Sequence, residues 1–198
     1  ILDVVLSVNG LPVVTAELKN PQTGQRARDA CTQYKKDRDG RDPIFRFKER
    51  TLVHFAVDPD EVWMTTHLKG EETHFLPFNR GHNHGAGNPP VEGNWKTRYL
   101  WGEALCADSL LDILQRFIHL DVSERTVETP TGFRTVRKEV MIFPRYHQLD
   151  AVRSLVGHAA AHGSGHNYLI QHSAGSGKSN SIAWLAHRLA TLHDAKDE

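Results

Sequence analysis

Cysteine is almost missing from this chain. Cys31 and Cys106 lie far apart and form no C-x-x-C, which argues against a disulfide scaffold or a zinc ribbon and suits a reducing, cytoplasmic setting. No stretch approaches the roughly 18 uninterrupted apolar residues of a membrane span. No basic-then-apolar leader opens the chain, so neither a membrane anchor nor a retained secretion signal is expected. Neither sign of charge prevails: Lys+Arg 24 against Asp+Glu 24 gives a formal net charge of zero. A wholly basic nucleic-acid wrapper is thereby excluded, and any nucleic-acid role has to rest on local patches. Internal repeats are absent too. What remains, 198 residues with 39% hydrophobic and 24% charged, is a globular composition long enough for one large domain or two small ones.

The pattern along the chain is mixed α/β. Leu2 to Val8 and Pro12 to Leu18 are apolar runs around Asn9-Gly10, a pair that accepts the positive φ of a tight hairpin turn. Thr23 to Arg38 reads as a polar helix. Thr51 to Val57 and Glu61 to Leu68 alternate as strands about an Asp58-Pro59-Asp60 turn, and Thr73 to Phe78 reads as another strand. Asn79 to Asn94 is rich in Gly, Pro, Asn and His without periodicity and reads as a loop. Ser109 to Leu120 carries a helical apolar stripe. Val122 to Lys138 is polar, with a turn at Pro130-Thr131-Gly132, and Val140 to Phe143 is a short strand. Pro144 suits the first turn of a helix reaching about His162. A strand over Tyr168 to His172, a Gly-Ser turn and a helix over Ser179 to Leu192 follow. This order predicts a mixed α/β first part and the opening unit of a second α/β domain. Because the chain starts at Ile1 inside an apolar run and stops at Glu198 just after a helix, it is expected to be a fragment of a longer protein.

Gly175-Ser176-Gly177-Lys178-Ser179 falls between a predicted strand and a predicted helix. A turn of this kind aims backbone N–H groups and the helix N-terminus at an anion. Lys178 would meet the β/γ-phosphates of ATP, and the Ser179 hydroxyl would complete a Mg²⁺ shell. The full pattern places Gly where this chain has His172. Upstream, Gln148 can donate and accept at once, which matches the N7 and N6 positions of adenine, with Arg145 or Tyr146 able to stack on the ring.

Glu17 and Lys19 are two apart on a predicted strand and so share one face, with Leu18 expected to point into the core. Simple pairing about Asn9-Gly10 sets Asp3 opposite Ala16. A slip or bulge near Pro12 would bring Asp3 and Glu17 to one site, where two carboxylates can hold Mg²⁺ and a lysine can orient water or stabilise phosphodiester charge. An exposed charge pair on an edge strand is the alternative. Between Arg26 and Arg50 nine Lys/Arg face five acids, a modest basic excess suited to phosphates.

Together, ILDVVLSVNGLPVVTAELKNP, ACTQYKK, FPRYHQLDAV and HSAGSGKSNSIAWLAHRL resemble the motor and nuclease (R) subunits of type I restriction-modification enzymes. The resemblance implies a PD-(D/E)xK endonuclease domain over residues 1–105, a connector over 106–143, and the first part of a RecA-like, superfamily 2 helicase-like domain over 144–198. It implies that Asp3 and Glu17 bind the catalytic Mg²⁺, that Lys19 completes the site, and that Gln33 is the Gln of a Gln-x-x-x-Tyr element, whose Tyr is replaced here by Asp37. Gln148 and Arg145 match an adenine-reading motif, and Gly175, Ser176, Gly177, Lys178 and Ser179 match the first motor motif. The partners implied are double-stranded DNA and the methyltransferase and specificity subunits. With no downstream Asp-Glu box, this fragment is expected to bind nucleotide weakly and not to turn it over.

Two other readings compete: a DNA translocase or helicase fragment with an inactive nuclease-like domain, and a non-catalytic module that docks DNA or partner subunits. His82-Asn83-His84 spells the HNH nuclease name, but contiguously in a loop rather than across a ββα-metal unit. His158 and His162 have a metal-binding helical spacing without an evident acidic third ligand, and read as surface histidines.

Overall fold

In a computed structural model describing residues 1–129 and 132–192, the first hairpin forms where Asn-Gly predicts it. Asn9 and Gly10 take φ of +50° and +81° and join β1 (Val4–Val8) to β2 (Leu11–Leu18). The antiparallel register runs Val8↔Leu11 and Ser7↔Pro12, then jumps to Leu6↔Val14 and continues to Val4↔Ala16. The irregularity beside Pro12 is a β-bulge, which adds one residue to β2 and shifts every later pair by one.

The hairpin belongs to a five-stranded sheet in the order β1-β2-β3-β4-β5, completed by β3 (Val53–Val57), β4 (Val62–Thr65) and β5 (Leu76–Pro77). β2 and β3 are parallel and the other pairs antiparallel. A parallel pair needs a crossover, which here contains α1 (Ala27–Lys36). Ala27, Ala30, Cys31 and Tyr34 recur at helical spacing and form its buried stripe. The helix starts later than the predicted Thr23, because Pro21–Thr23 form a separate 3₁₀ turn closed by Gly24 at φ +76°. Asp58 ties the crossover to the β3–β4 turn. One of its oxygens accepts the backbone N–H groups of Asp60 and Glu61, and the other accepts that of Ala27 at the start of α1.

All five residues of β3 are buried, so the expected alternation gives way to a strand covered on both faces. On one face Ala56 joins Ala30, Cys31, Tyr34, Phe45, Leu68 and Phe75. On the other, Phe55 packs edge-on against Phe78 and Phe143. Residues 79–94 form the expected loop, but a tethered one. Buried Asn88 accepts the Arg80 N–H and donates to Asp60 O and Asn79 Oδ1. A π-helical turn over Leu100–Ala104 then leads into α2 (Ala107–Arg116).

Residues 119–142 differ from expectation. Where a polar segment and a four-residue strand were predicted, β6 (His119–Thr129) and β7 (Gly132–Ile142) form a two-stranded ribbon of their own. Pro130 and Thr131 of the predicted turn lie outside the described residues.

Two compact units emerge, Ile1–Phe143 and Pro144–Glu198, so residues 106–143, expected as a connector, cluster with the first unit. The second unit contains α3 (Tyr146–His162) and α4 (Lys178–Ala190). The strand expected over Tyr168 to His172 does not form, and Leu169 is 92% exposed. The described residues of this unit supply no neighbouring strand, and an apolar run without a partner has nothing to satisfy its N–H and C=O groups as a sheet would.

A buried polar chain under the sheet has a consequence for acid stability. The Thr15 hydroxyl bridges Tyr34 Oη (2.9 Å) and His54 Nδ1 (2.7 Å), all three residues being buried. Burial pushes the His54 imidazole down to about 3. With the folded value depressed, the unfolded chain binds the proton first. The stability from neutral His54 is therefore present above the ordinary histidine range and is lost as pH falls from there toward 3, at about 1.4 kcal/mol per pH unit. Urea unfolding between pH 7 and 4 should show this slope. His54→Gln should flatten it by about one proton.

Candidate active site and phosphate loop

The bulge near Pro12 decides the first site. With Val4 opposite Ala16, the register extended by one pair sets Asp3 beside Glu17 rather than opposite Ala16. Asp3 Oδ2 accepts the Leu18 N–H at 2.8 Å, which fixes its carboxyl at the end of β2. Lys19 lies one step beyond the strand, on the face shared with Glu17. Its Nζ donates to Gln33 Oε1 at 2.5 Å, and its backbone N–H to Val57 O at 2.8 Å. Asp3, Glu17, Lys19 and Gln33 are thus brought together by one hairpin and one helix.

Glu17 and Leu18 reverse the expected orientation. Glu17 is 1% exposed and Leu18 42%. Strand alternation says which residues share a face but not which face is covered, and here α1 lies over the face of Glu17. Nor is β2 an edge strand, since it runs between β1 and β3.

Arg38, which the sequence shows only as one cation of a basic stretch, is the residue that completes this cluster. Its Nε and Nη2 both donate to Glu17 Oε1, at 2.8 and 2.6 Å, and Nη2 also donates to Ile1 O at 2.7 Å. Desolvation raises the Glu17 carboxyl above its ordinary range, Arg38 works against that rise, and the neighbouring Asp3 adds to it. Other cations of the stretch are also engaged. Arg26 pairs with Asp60, Arg41 with Asp39, Arg46 with Glu49 and Lys48 with Glu139, while Arg28 stacks over Trp63 at 3.5 Å. Five of the nine cations read from the sequence are therefore paired with the protein's own acids, four of them at the surface.

In the second unit, residues 172–179 wrap the N-terminus of α4. Gly175 and Gly177 have φ of +72° and +80°. Lys178 Nζ donates to His172 O (3.2 Å) and Ser173 O (2.9 Å), so the lysine is folded over the loop. Gln148 is part of the loop's support. Its Oε1 accepts the Arg145 N–H at 2.9 Å and its Nε2 donates to Gly177 O at 2.8 Å. His147 Nε2 lies 3.0 Å from Ser176 O. Ser176 Oγ, Ser181 Oγ and His172 Nδ1 are buried with no hydrogen-bond partner among the described residues. Ser179 is exposed at the start of α4.

Gly177 disfavours a side chain, mainly through its left-handed backbone. A Cβ there would sit 2.5 Å from Gln148 Nε2, on a backbone in the left-handed region. Gly177→Ala should lower unfolding stability by about 1–2 kcal/mol in urea melts, from left-handed strain and the displaced Gln148.

The remaining histidine candidates form no site. His82 and His84 are exposed in the loop. His158 and His162 stack at 4.1 Å, with His166 edge-on to His158 at 5.0 Å. Among the described residues, no three His, Cys, Asp or Glu side chains make a metal-binding group, and no helix is long and apolar enough to cross a membrane.

Residues 1–73 match the family model described as type I restriction enzyme R protein N terminus. No curated protein and no solved structure matches the chain. The matched segment holds all of Asp3, Glu17, Lys19, Gln33 and Arg38, so the likeness to R-protein N termini bears on the carboxylate cluster and does not extend to residues 172–179.

Proposed function

We propose that the first unit is the metal-dependent DNA-cleaving domain of a type I restriction enzyme R subunit, and that the second begins its ATP-binding motor. The observation that carries the reading is the bulge that sets Asp3 beside Glu17 while Lys19 is held by Gln33 on the same face. The donor set fits Mg²⁺, a hard ion that keeps several waters and takes one or two protein carboxylates; a three-residue cage is not required. Asp3 and Glu17 would hold the ion, which when bound supplies Lewis-acid stabilisation of a phosphodiester and a more acidic water. Lys19 holds a fixed positive charge beside the carboxylates, aimed by Gln33 Oε1. Arg38 occupies Glu17 Oε1, while Gln33 Oε1 accepts from the Lys19 ammonium.

The phosphate loop fits a nucleotide by its two left-handed glycines, the N–H groups opening α4 and the buried, unpartnered Ser176 hydroxyl. Lys178 would exchange His172 O and Ser173 O for phosphate oxygens, Ser179 would join the Mg²⁺ shell, and Gln148 with Arg145 would border the adenine. In the whole subunit ATP hydrolysis would move double-stranded DNA, with methyltransferase and specificity subunits as partners in the cytoplasm. Excess ATP and Mg²⁺ should raise the Tm of this chain slightly, and Lys178→Ala should remove the rise.

Supercoiled-plasmid nicking with Mg²⁺ or Mn²⁺ tests the nuclease reading, comparing the chain with Glu17→Ala and Lys19→Ala. Nicking that needs metal and is lost in both variants supports it. A folded chain that never nicks would count against an autonomous nuclease and leave either a cutter that needs its complex or the reading with an inactive nuclease-like domain, which the Arg38–Glu17 pairing favours.

A further inference from the structure

The ribbon β6–β7 sorts its charges. Its acids are Asp121, Glu124, Glu128 and Glu139, and its bases Arg125, Arg134, Arg137 and Lys138, so the segment is neutral in sequence. Residues directly opposite in an antiparallel pair share a face. The uninterrupted register pairs Ser123↔Lys138, Arg125↔Val136 and Val127↔Arg134, which puts three cations on one face against Asp121 alone. The other face receives Glu124, Glu128 and Glu139 with Arg137. Near its base this acidic face is satisfied internally, since Glu139 pairs with Lys48 and Arg137. Arg125, Arg134 and Lys138 are exposed and make no ion pair among the described residues.

We propose that the face bearing Arg125, Arg134 and Lys138 docks in a groove of double-stranded DNA. The three cations occupy successive same-face rungs, roughly 7 Å apart, alternating between the strands. Projected on the helix axis, that step spans about two phosphates of one DNA strand. The major groove of B-DNA, about 12 Å wide, admits a two-stranded ribbon. The A-form groove of duplex RNA is too deep and narrow, which selects DNA. Val127, Val136 and Val140 accompany the cations and offer apolar contact to thymine methyl groups. The ribbon is anchored to the rest of the first unit near its base, where Thr66 donates to Met141 O and Lys48 pairs with Glu139, and a two-stranded element is marginally stable in water on its own, so a ligand along this face also stabilises the element itself. The inference rests on the proposed function only in naming DNA as the duplex. It assigns the grip to a surface remote in sequence from the carboxylate cluster.

The test is fluorescence anisotropy of a short duplex DNA with the full chain in EDTA, across a salt series. Arg125→Gln/Arg134→Gln/Lys138→Gln should weaken binding at least about tenfold at low salt and flatten the slope of log K against log salt by roughly 2.7, three contacts at about 0.9 each. Glu124→Gln/Glu128→Gln on the opposite face should bind as well as the parent or better. Circular dichroism of each variant checks the fold, and the three single Gln variants replace the triple variant if it is unfolded. Parental affinity and slope in the cation-face variants would overturn the proposal. So would equal loss in the opposite-face variant, equal affinity for duplex RNA, or no DNA binding by the folded parent. Because metal is excluded, an inactive nuclease leaves this reading standing, and a failed ribbon leaves the nuclease to the plasmid assay.

Discussion

Lys19→Ala should reduce metal-dependent plasmid nicking by about 10²–10³-fold, the size of losing one preorganised charge donor at a developing oxyanion. The same change should lower stability by only about 2 kcal/mol, because the half-buried ammonium makes one charge-assisted bond, to Gln33 Oε1. The contrast between the two magnitudes makes the measurement informative. A lysine that merely props β2 against α1 would lose activity in proportion to folded protein, and its activity would return under conditions that restore the fold. Gln33→Ala separates position from charge: the ammonium remains but loses its fixed partner, so activity should fall by a smaller factor, with the metal requirement unchanged. Equal nicking by the parent and Lys19→Ala, both folded, would remove the lysine from the chemistry. Nicking rates at matched, saturating Mn²⁺ and urea melts in EDTA read the two quantities separately.

The hairpin that carries this site is legible because Asn9-Gly10 is a local signal, and both residues do take positive φ. Bringing Asp3 to Glu17 needs a bulge, and Pro12, which has no N–H to give the ladder, marks where one is tolerated. Which side of β2 is covered is a different matter. Alternation is symmetric under exchange of faces, and only the crossover helix breaks that symmetry by burying Glu17 and leaving Leu18 out. The ribbon escapes sequence reading because both of its faces meet solvent, so β6 and β7 lack the apolar alternation that marks a half-buried strand. Tyr168 to His172 shows the converse: its apolar run has strand character, yet no neighbouring strand pairs with it among the described residues. Arg38 follows the C-cap of α1, outside the helical periodicity. Only the turn of the chain after Asp37 directs it back to Glu17.

Arg38→Ala should destabilise the protein by about 3 kcal/mol near neutral pH, since breaking a buried ion pair from one side leaves an uncompensated charge. The Glu17 side chain is 1% exposed and that of Arg38 14%, so water does little to screen what remains. The loss should depend on pH with a definite sign. Burial already raises the Glu17 carboxyl, and removing Arg38 takes away the largest influence lowering it. A folded value raised above the unfolded one gives stability that is fully present below the ordinary glutamate range and lost as pH rises through the folded value. The variant should therefore come closest to the parent in acid, where Glu17 is protonated in both, and fall behind as pH rises. Glu17→Gln in the Arg38→Ala background should recover much of the difference, because a neutral amide replaces the stranded carboxylate. Urea melts of the four proteins of this cycle, in EDTA from pH 4 to pH 8, measure the coupling. A loss that is flat with pH, or one that Glu17→Gln does not relieve, would show that Arg38 acts through its bond to Ile1 O and its packing instead. The coupling also bears on metal binding, because Arg38 holds the same Glu17 oxygen that a cation would approach. A strong pair would mean that the cluster is stable without a cation and that a cation bound there would have to draw Glu17 partly away from Arg38.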